Sequence, residues 1–191
     1  MRISLSQFRL GLLAPIVTWA LVGCGGNLGL PPTQYLNVVD TTTLYALHGT
    51  PIPTPSGFDL VAGVTRRVDL GQTYDIAFDY DSTGAAVLYS SAVLGGVSGV
   101  GMRVTDQAFD AITRAPTDKY AADSLLTLSV DLTFFVRSRA ATDYCSFLGA
   151  VPRYGKFHVL ALDASARTVT LEHLIDLNCG YLGLEPGAPP S

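Results

Sequence analysis

The chain has 191 residues, 48% of them hydrophobic and 15% charged, with 12 basic residues against 16 acidic ones and a formal net charge of −4. That length can bury one sizeable core. An acidic balance without a basic stripe excludes the usual electrostatic footprint of a nucleic-acid binder.

The first nine residues, "MRISLSQFR", carry Arg2 and Arg9 and no acid, and an apolar run from Leu10 to Val22 follows. The run is too short to cross a bilayer core, which takes about 20 residues, so it reads as a secretion signal. It closes on Leu21, Val22, Gly23 and Cys24. This "LVGC" resembles the lipobox of bacterial lipoproteins, a resemblance confined to the first 25 or so residues. It implies a diacylglycerol on the Cys24 sulfur, cleavage just before that residue, acylation of the new amine, and a membrane partner reached through the lipid. One acyl chain binds a membrane only marginally, whereas two or three, at roughly 0.8 kcal/mol per buried methylene, hold firmly. A plain signal peptide with an incidental cysteine and an uncleaved anchor are the alternatives. Gly25, where an Asp often retains such proteins at the inner membrane, leans towards the outer membrane in a bacterium with two membranes.

The expected organisation is therefore a signal peptide over 1–23, a lipidated leash over 24–34, a β-rich globular domain over 35–185 and a flexible tail over 186–191. Loss of Arg2 and Arg9 with the signal leaves 10 basic residues against 16 acids, a net −6.

Past the leash, strand follows strand. Segments 35–39, 43–48, 58–61 and 64–70 are bounded by Gly, Pro, Asp and Ser, and the prolines of "TPIPTPSG" (50–57) keep that loop extended. In "TYDIAFDYD" (73–81), Tyr74, Ile76, Phe78 and Tyr80 alternate with Asp75 and Asp79, the period of a half-buried strand. Its end, "DYDSTG", matches the first half of a calcium loop, with Asp79, Asp81 and Thr83 as oxygen ligands and Gly84 at the sharp turn. Ser90 stands where the bidentate Glu should be, and 85–90 already looks like a return strand, so a hairpin turn in which Asp and Ser bond their own backbone and Gly takes positive φ is the simpler reading. Strands over 85–90 and 100–104 follow, and only "TDQAFDAIT" (105–113) has helical spacing, with Thr105 or Asp106 as its cap.

Residues 115–123 read as an exposed loop. Over 125–137, Leu126, Leu128, Val130, Leu132, Phe134 and Val136 share one face of a strand expected to break near Asp131. Strands 155–163 and 168–175 form a hairpin that brings Cys145 and Cys179 to one end, an even pair once Cys24 carries lipid, and so a disulfide in an oxidising compartment; two buried thiols are the alternative. Burial of the apolar face selects the hairpin register that sets Phe157, Val159 and Ala161 against His173, Leu171 and Val169. That register places His158 beside Glu172 and His173 at the rim of the apolar face. His48 reads as a lone strand end.

The fold expected from this pattern is all-β, an antiparallel β-sandwich or small barrel with one short helix. "GGVSGVG" (95–101) lacks the spacing of a nucleophile elbow. Trp19 is lost with the signal, which leaves Tyr35, Tyr45, Tyr120 and Tyr181 as the aromatic platforms available for sugars. The expectation is a lipid-anchored envelope protein whose domain binds or scaffolds an envelope partner, more a binder than an enzyme and needing no cofactor. Its rivals are an envelope hydrolase with a dispersed active site and a calcium-stabilised binding domain.

Overall fold

The computed structural model describes residues 32–141, 143, 145, 149 and 151–189; the segment expected as a signal, Cys24 and most of the expected leash lie outside them. Two antiparallel sheets face each other as a β-sandwich, with no closure into a barrel. The first sheet runs β1-β11-β10-β9-β6-β7, where β1 is Val39–Tyr45, β6 Gly101–Thr105, β7 Ala121–Ala122, β9 Thr133–Ala140, β10 Pro152–Asp163 and β11 Thr168–Asp176. The second runs β3-β2-β4-β5-β8, with β2 Gly57–Asp59, β3 Val64–Arg66, β4 Ile76–Tyr80, β5 Ala86–Ser90 and β8 Leu125–Thr127. Strands expected over 35–39 and 43–48 merge into β1, and the one over 64–70 stops at Arg66, where a 3-10 turn (Val68–Leu70) begins.

The core lies between the sheets. Phe58, Ile76, Phe78 and Leu88 from the second sheet meet Phe134, Val136, Phe157, Val159 and Leu171 from the first. The long segment 125–137 breaks as expected near Asp131, which takes φ 68° in the turn between β8 and β9. The break has a topological purpose: β8 belongs to one sheet and β9 to the other, so the chain crosses the core there and leaves Val130 exposed.

In the β10–β11 hairpin, Phe157 pairs with His173, His158 with Glu172 and Val159 with Leu171. The expected Ala161–Val169 pair is not formed. A bulge between Val159 and Ala161 shifts the register by one, so Ala161 faces Thr170 and Leu162 faces Val169. The bulge keeps the larger side chain on the core side, since Leu162 packs against the core while Leu160 is exposed.

His173 is not at the rim but buried, edge-on to Phe58 (5.0 Å between ring centres) and stacked on Phe157 (5.6 Å). Burial lowers its pKa, with Asp40 pulling weakly the other way. An unfolded histidine titrates near pH 6.5, so the stability owed to neutral His173 is present above about that pH and lost as pH falls through the lower folded value. Urea melts between pH 7.5 and 5 should therefore show a steeper loss in the native protein than in a His173→Phe variant.

The helix expected over 105–113 reduces to a 3-10 turn, Phe109–Ala111. Lys156 decides this: it is buried on the outer face of the first sheet, and its Nζ donates to the carbonyls of Phe109 and Ile112, both at 2.9 Å, and lies 4.4 Å from the Phe109 ring. Those carbonyls are the acceptors a continuing helix would need. The segment is further pinned by Ala115 N to Leu182 O and Leu184 N to Thr113 O, both 2.8 Å, so 109–115 and 182–184 together roof a second apolar cluster over Phe135 and Leu174. Residues 186–189, expected as a flexible tail, are held against the fold, because Gly187 exchanges two backbone hydrogen bonds with Asn37 and Pro189 is buried.

Candidate functional site

The turn after β4 forms around Asp81. Its Oδ1 accepts from Thr83 N (2.8 Å), Thr83 Oγ1 (2.6 Å) and Ala85 N (3.0 Å), and Gly84 takes φ 84°. This is the hairpin-turn reading of "DYDSTG". The carboxylate of Asp79 is committed elsewhere, so the three candidate calcium ligands serve two separate purposes. The alternation expected in this strand is also overturned, for Asp75 and Asp79 are as buried as Ile76 and Phe78. β4 is covered on both faces, and each aspartate is matched there by an arginine.

Asp79 gathers two distant segments. Its Oδ2 lies 2.5 Å from His48 Nδ1 in the loop after β1, and its Oδ1 is 3.3 Å from Arg167 Nη2 in the β10–β11 turn. Arg167 also donates from Nε to the His48 carbonyl (2.8 Å) and lies over the Tyr80 ring. The His48 side chain is 84% exposed. An imidazole fixed through Nδ1 by a buried carboxylate, with its other nitrogen towards solvent, has the orientation of a proton acceptor or a ligand contact. His48 is thus not the isolated strand end expected. Its partners lie 31 and 119 residues away, and no local pattern announces them.

Gly49 makes this junction possible. It adopts φ 77°, and a Cβ there would stand 2.8 Å from Arg167 Nε and 2.9 Å from its Cδ. Gly49→Ala should therefore cost about 1–3 kcal/mol through backbone strain and displaced guanidinium, read as a lowered urea midpoint. Gly84→Ala is the control: it has a similar φ of 84° but open space around the new methyl, and should cost less.

From His48 a trough runs along the outer side of the second sheet. Two adjoining hollows of about 320 and 450 Å³ share Val68, Tyr74 and Leu94 as lining. Ile52, at 74% exposure, and the half-exposed Leu94 and Val97 stand along it, an apolar border on otherwise polar loops.

A second groove, of about 670 Å³, opens beside β10 and holds His158, Glu172, Asp106, Asp110 and Asp131. His158 stands opposite Glu172 as expected, but its Nδ1 contact is with Thr133 Oγ1 at 3.0 Å. Of the candidate aromatic platforms, Tyr181 is buried, Tyr120 is packed against Tyr154 and Arg137, and Tyr35 and Tyr45 retain exposed surface. The serine of "GGVSGVG", Ser98, is on the surface.

Cys145 and Cys179 stand at disulfide-bonding distance, with their Cα atoms 5.2 Å apart and both side chains buried beside Val61 and Val151. Arg153 donates from Nη2 to Asp143 and lies 3.5 Å from the Cys145 sulfur. Cys24 falls outside the described residues. Among the described residues no group of three or more His, Cys, Asp or Glu side chains is arranged to hold a metal ion, and none of their helices is long and apolar enough to cross a membrane. No protein-family model and no curated protein matches this chain.

Proposed function

We propose that this chain is a lipid-anchored cell-envelope protein, held outside the cytoplasm through Cys24, whose β-sandwich binds or scaffolds an envelope protein. The anchor half of the reading rests on "LVGC" at 21–24 after a basic, acid-free start and an apolar run. The binding half rests on one observation, the open trough bordered by Ile52, Leu94 and Val97. Exposed apolar patches rimmed by polar residues are the usual mark of a protein contact. The outer membrane is the proposed location where the bacterium has two, from Gly25 after the cysteine.

Two measurements test the halves separately. The intact mass of protein extracted from membranes should begin at Cys24 and include lipid, and Cys24→Ala should release the chain to the soluble fraction. An unlipidated, soluble native product in a lipoprotein-competent host overturns the anchor. For the binding half, a photo-crosslinking residue at Ile52 or Leu94 in living cells should give one discrete adduct that the same residue at Ala164, on the β10–β11 turn, does not give. Equal, diffuse labelling at all three positions overturns it. The hydrolase reading has the Asp79–His48 pair in its favour; it replaces the binding reading if His48→Ala abolishes turnover of an ester or glycoside probe by the folded protein.

A further inference from the structure

The first described residues after the leash form a rigid strip with its apolar side chains outward. Asn178 holds it at one point: its Oδ1 accepts from the backbone N–H groups of Gln34 (2.7 Å) and Tyr35 (3.0 Å), and its Nδ2 donates to the Tyr35 carbonyl (2.9 Å). Asn37 holds it at the next, buried and paired with Gly187 through the backbone and with Gly183 O through Nδ2 (2.8 Å). Alternation then sends the neighbours of Asn37 outward. Leu36 is 69% exposed and Val38 64%, with Tyr35 and Val39 also on the surface. These are not fraying ends, because the backbone on which they sit is tied to the fold at both asparagines.

The sequence around the strip is as unusual as its exposure. From Cys24 to Val39 there is no charged residue at all, in a chain that is 15% charged, and Asp40 is the first. Leu36 is twelve residues from Cys24, a span that reaches at most about 40 Å. Strand directions fix what lies at each end of the sandwich. β1 starts and β11 ends beside this strip and the Cys145–Cys179 pair, whereas the β10–β11 turn, Arg167, His48 and the Asp81 turn are at the other end. β10, with twelve residues, spans about 40 Å between the two ends.

We infer that Tyr35, Leu36 and Val38 form a lipid-facing strip that seats this end of the sandwich on the bilayer carrying the Cys24 anchor and turns the His48–Asp79–Arg167 end away from it. The inference rests on lipidation at Cys24. The anchor supplies the holding and the strip supplies the orientation, a second and weaker membrane contact of the kind that a tethered domain can exploit. Because the strip is uncharged, the contact is with acyl chains and the glycerol region rather than with anionic headgroups. It should form on zwitterionic lipid and resist salt.

The processed chain offers a clean probe, for its only tryptophan, Trp19, precedes Cys24. Lipidated Leu36→Trp protein is reconstituted in phosphatidylcholine vesicles and in anionic vesicles of mixed phosphatidylcholine and phosphatidylglycerol, each with and without brominated acyl chains and in low and high salt, alongside lipidated Ala164→Trp. Thermal melts of both check folding, and Val38→Trp replaces Leu36→Trp if the latter is unfolded. The expected result is blue-shifted emission from the tryptophan at position 36, strongly quenched by brominated chains at either salt concentration, with water-like, unquenched emission from position 164. Water-like emission from position 36 in protein whose mass includes the lipid overturns the orientation and leaves the anchor standing. A mass without lipid overturns the anchor and this inference with it. Quenching only on anionic vesicles at low salt overturns the acyl-chain contact in favour of headgroup attraction.

Discussion

Arg139→Met should cost the fold about 3–5 kcal/mol at pH 7, the usual penalty for leaving a buried charge without its partner. Asp59 ends β2 and Asp75 directly precedes β4, at 3% and 0% exposure, and Arg139 reaches both from the end of β9 in the first sheet. Its Nη1 is 2.8 Å from Asp75 Oδ2 and its Nη2 2.9 Å from Asp59 Oδ1, while its own backbone N–H donates to Asp75 Oδ1 at 2.9 Å. Asp59 also has Arg66, with two contacts at 3.0 and 3.2 Å, and keeps a cation when Arg139 is lost. Asp75 is left with two neutral donors, the backbone N–H groups of Leu60 and of residue 139, and no cation.

The pH dependence follows from that asymmetry. Burial already raises the Asp75 pKa against the pull of Arg139, and removing the guanidinium raises it further. A carboxyl whose folded pKa lies above its unfolded one favours the fold below the unfolded value, and that contribution is lost as pH rises through the folded value. The variant's deficit should therefore be large at pH 7 and shrink towards pH 4. Pairing Arg139→Met with Asp75→Asn should recover part of the loss at pH 7. A deficit independent of pH, with no recovery in the double variant, would show that the arginine acts by packing alone.

Removing the Cys145–Cys179 bridge should have an effect of similar size. The two cysteines are 34 residues apart, and closing a loop of that length is worth about 3–4 kcal/mol on the chain-entropy account. For a domain of this size that corresponds to a Tm lower by roughly 10 °C in a Cys145→Ala, Cys179→Ala variant. Both cysteines are buried, 0% and 1% exposed, so a thiol reductant must wait for this end of the sandwich to open. The native protein should accordingly hold its bridge in mild reductant and lose it together with its fold as urea is added. Rapid reduction of the native protein with no change in Tm would contradict both statements.

Much of the architecture is legible in the sequence because its cause is local. Period-two alternation and glycine or aspartate turns determine most of the strands, and the break at Asp131 follows from a polar residue between two apolar runs. The apolar face of 155–163 and 168–175 fixes the register next to Phe157 and, with it, the meeting of Cys145 and Cys179. "LVGC" likewise raises the anchor hypothesis from four adjacent residues.

What the sequence could not determine depends on partners far along the chain. Whether 105–113 becomes a helix is decided by Lys156, more than forty residues later, which takes its carbonyls. Asp75 and Asp79 look like the solvent face of a strand until Arg139 and Arg167 arrive to neutralise them, and a buried carboxylate is tolerable only with such a partner. His48 looks solitary until folding brings Asp79 to its Nδ1. The hairpin bulge comes from competition between Leu160 and Leu162 for one place in the core, a choice that only the opposing sheet can make. Local alternation specifies strands, but the identity of the buried charges, and with it the candidate site, is set by which strands the tertiary fold lays side by side.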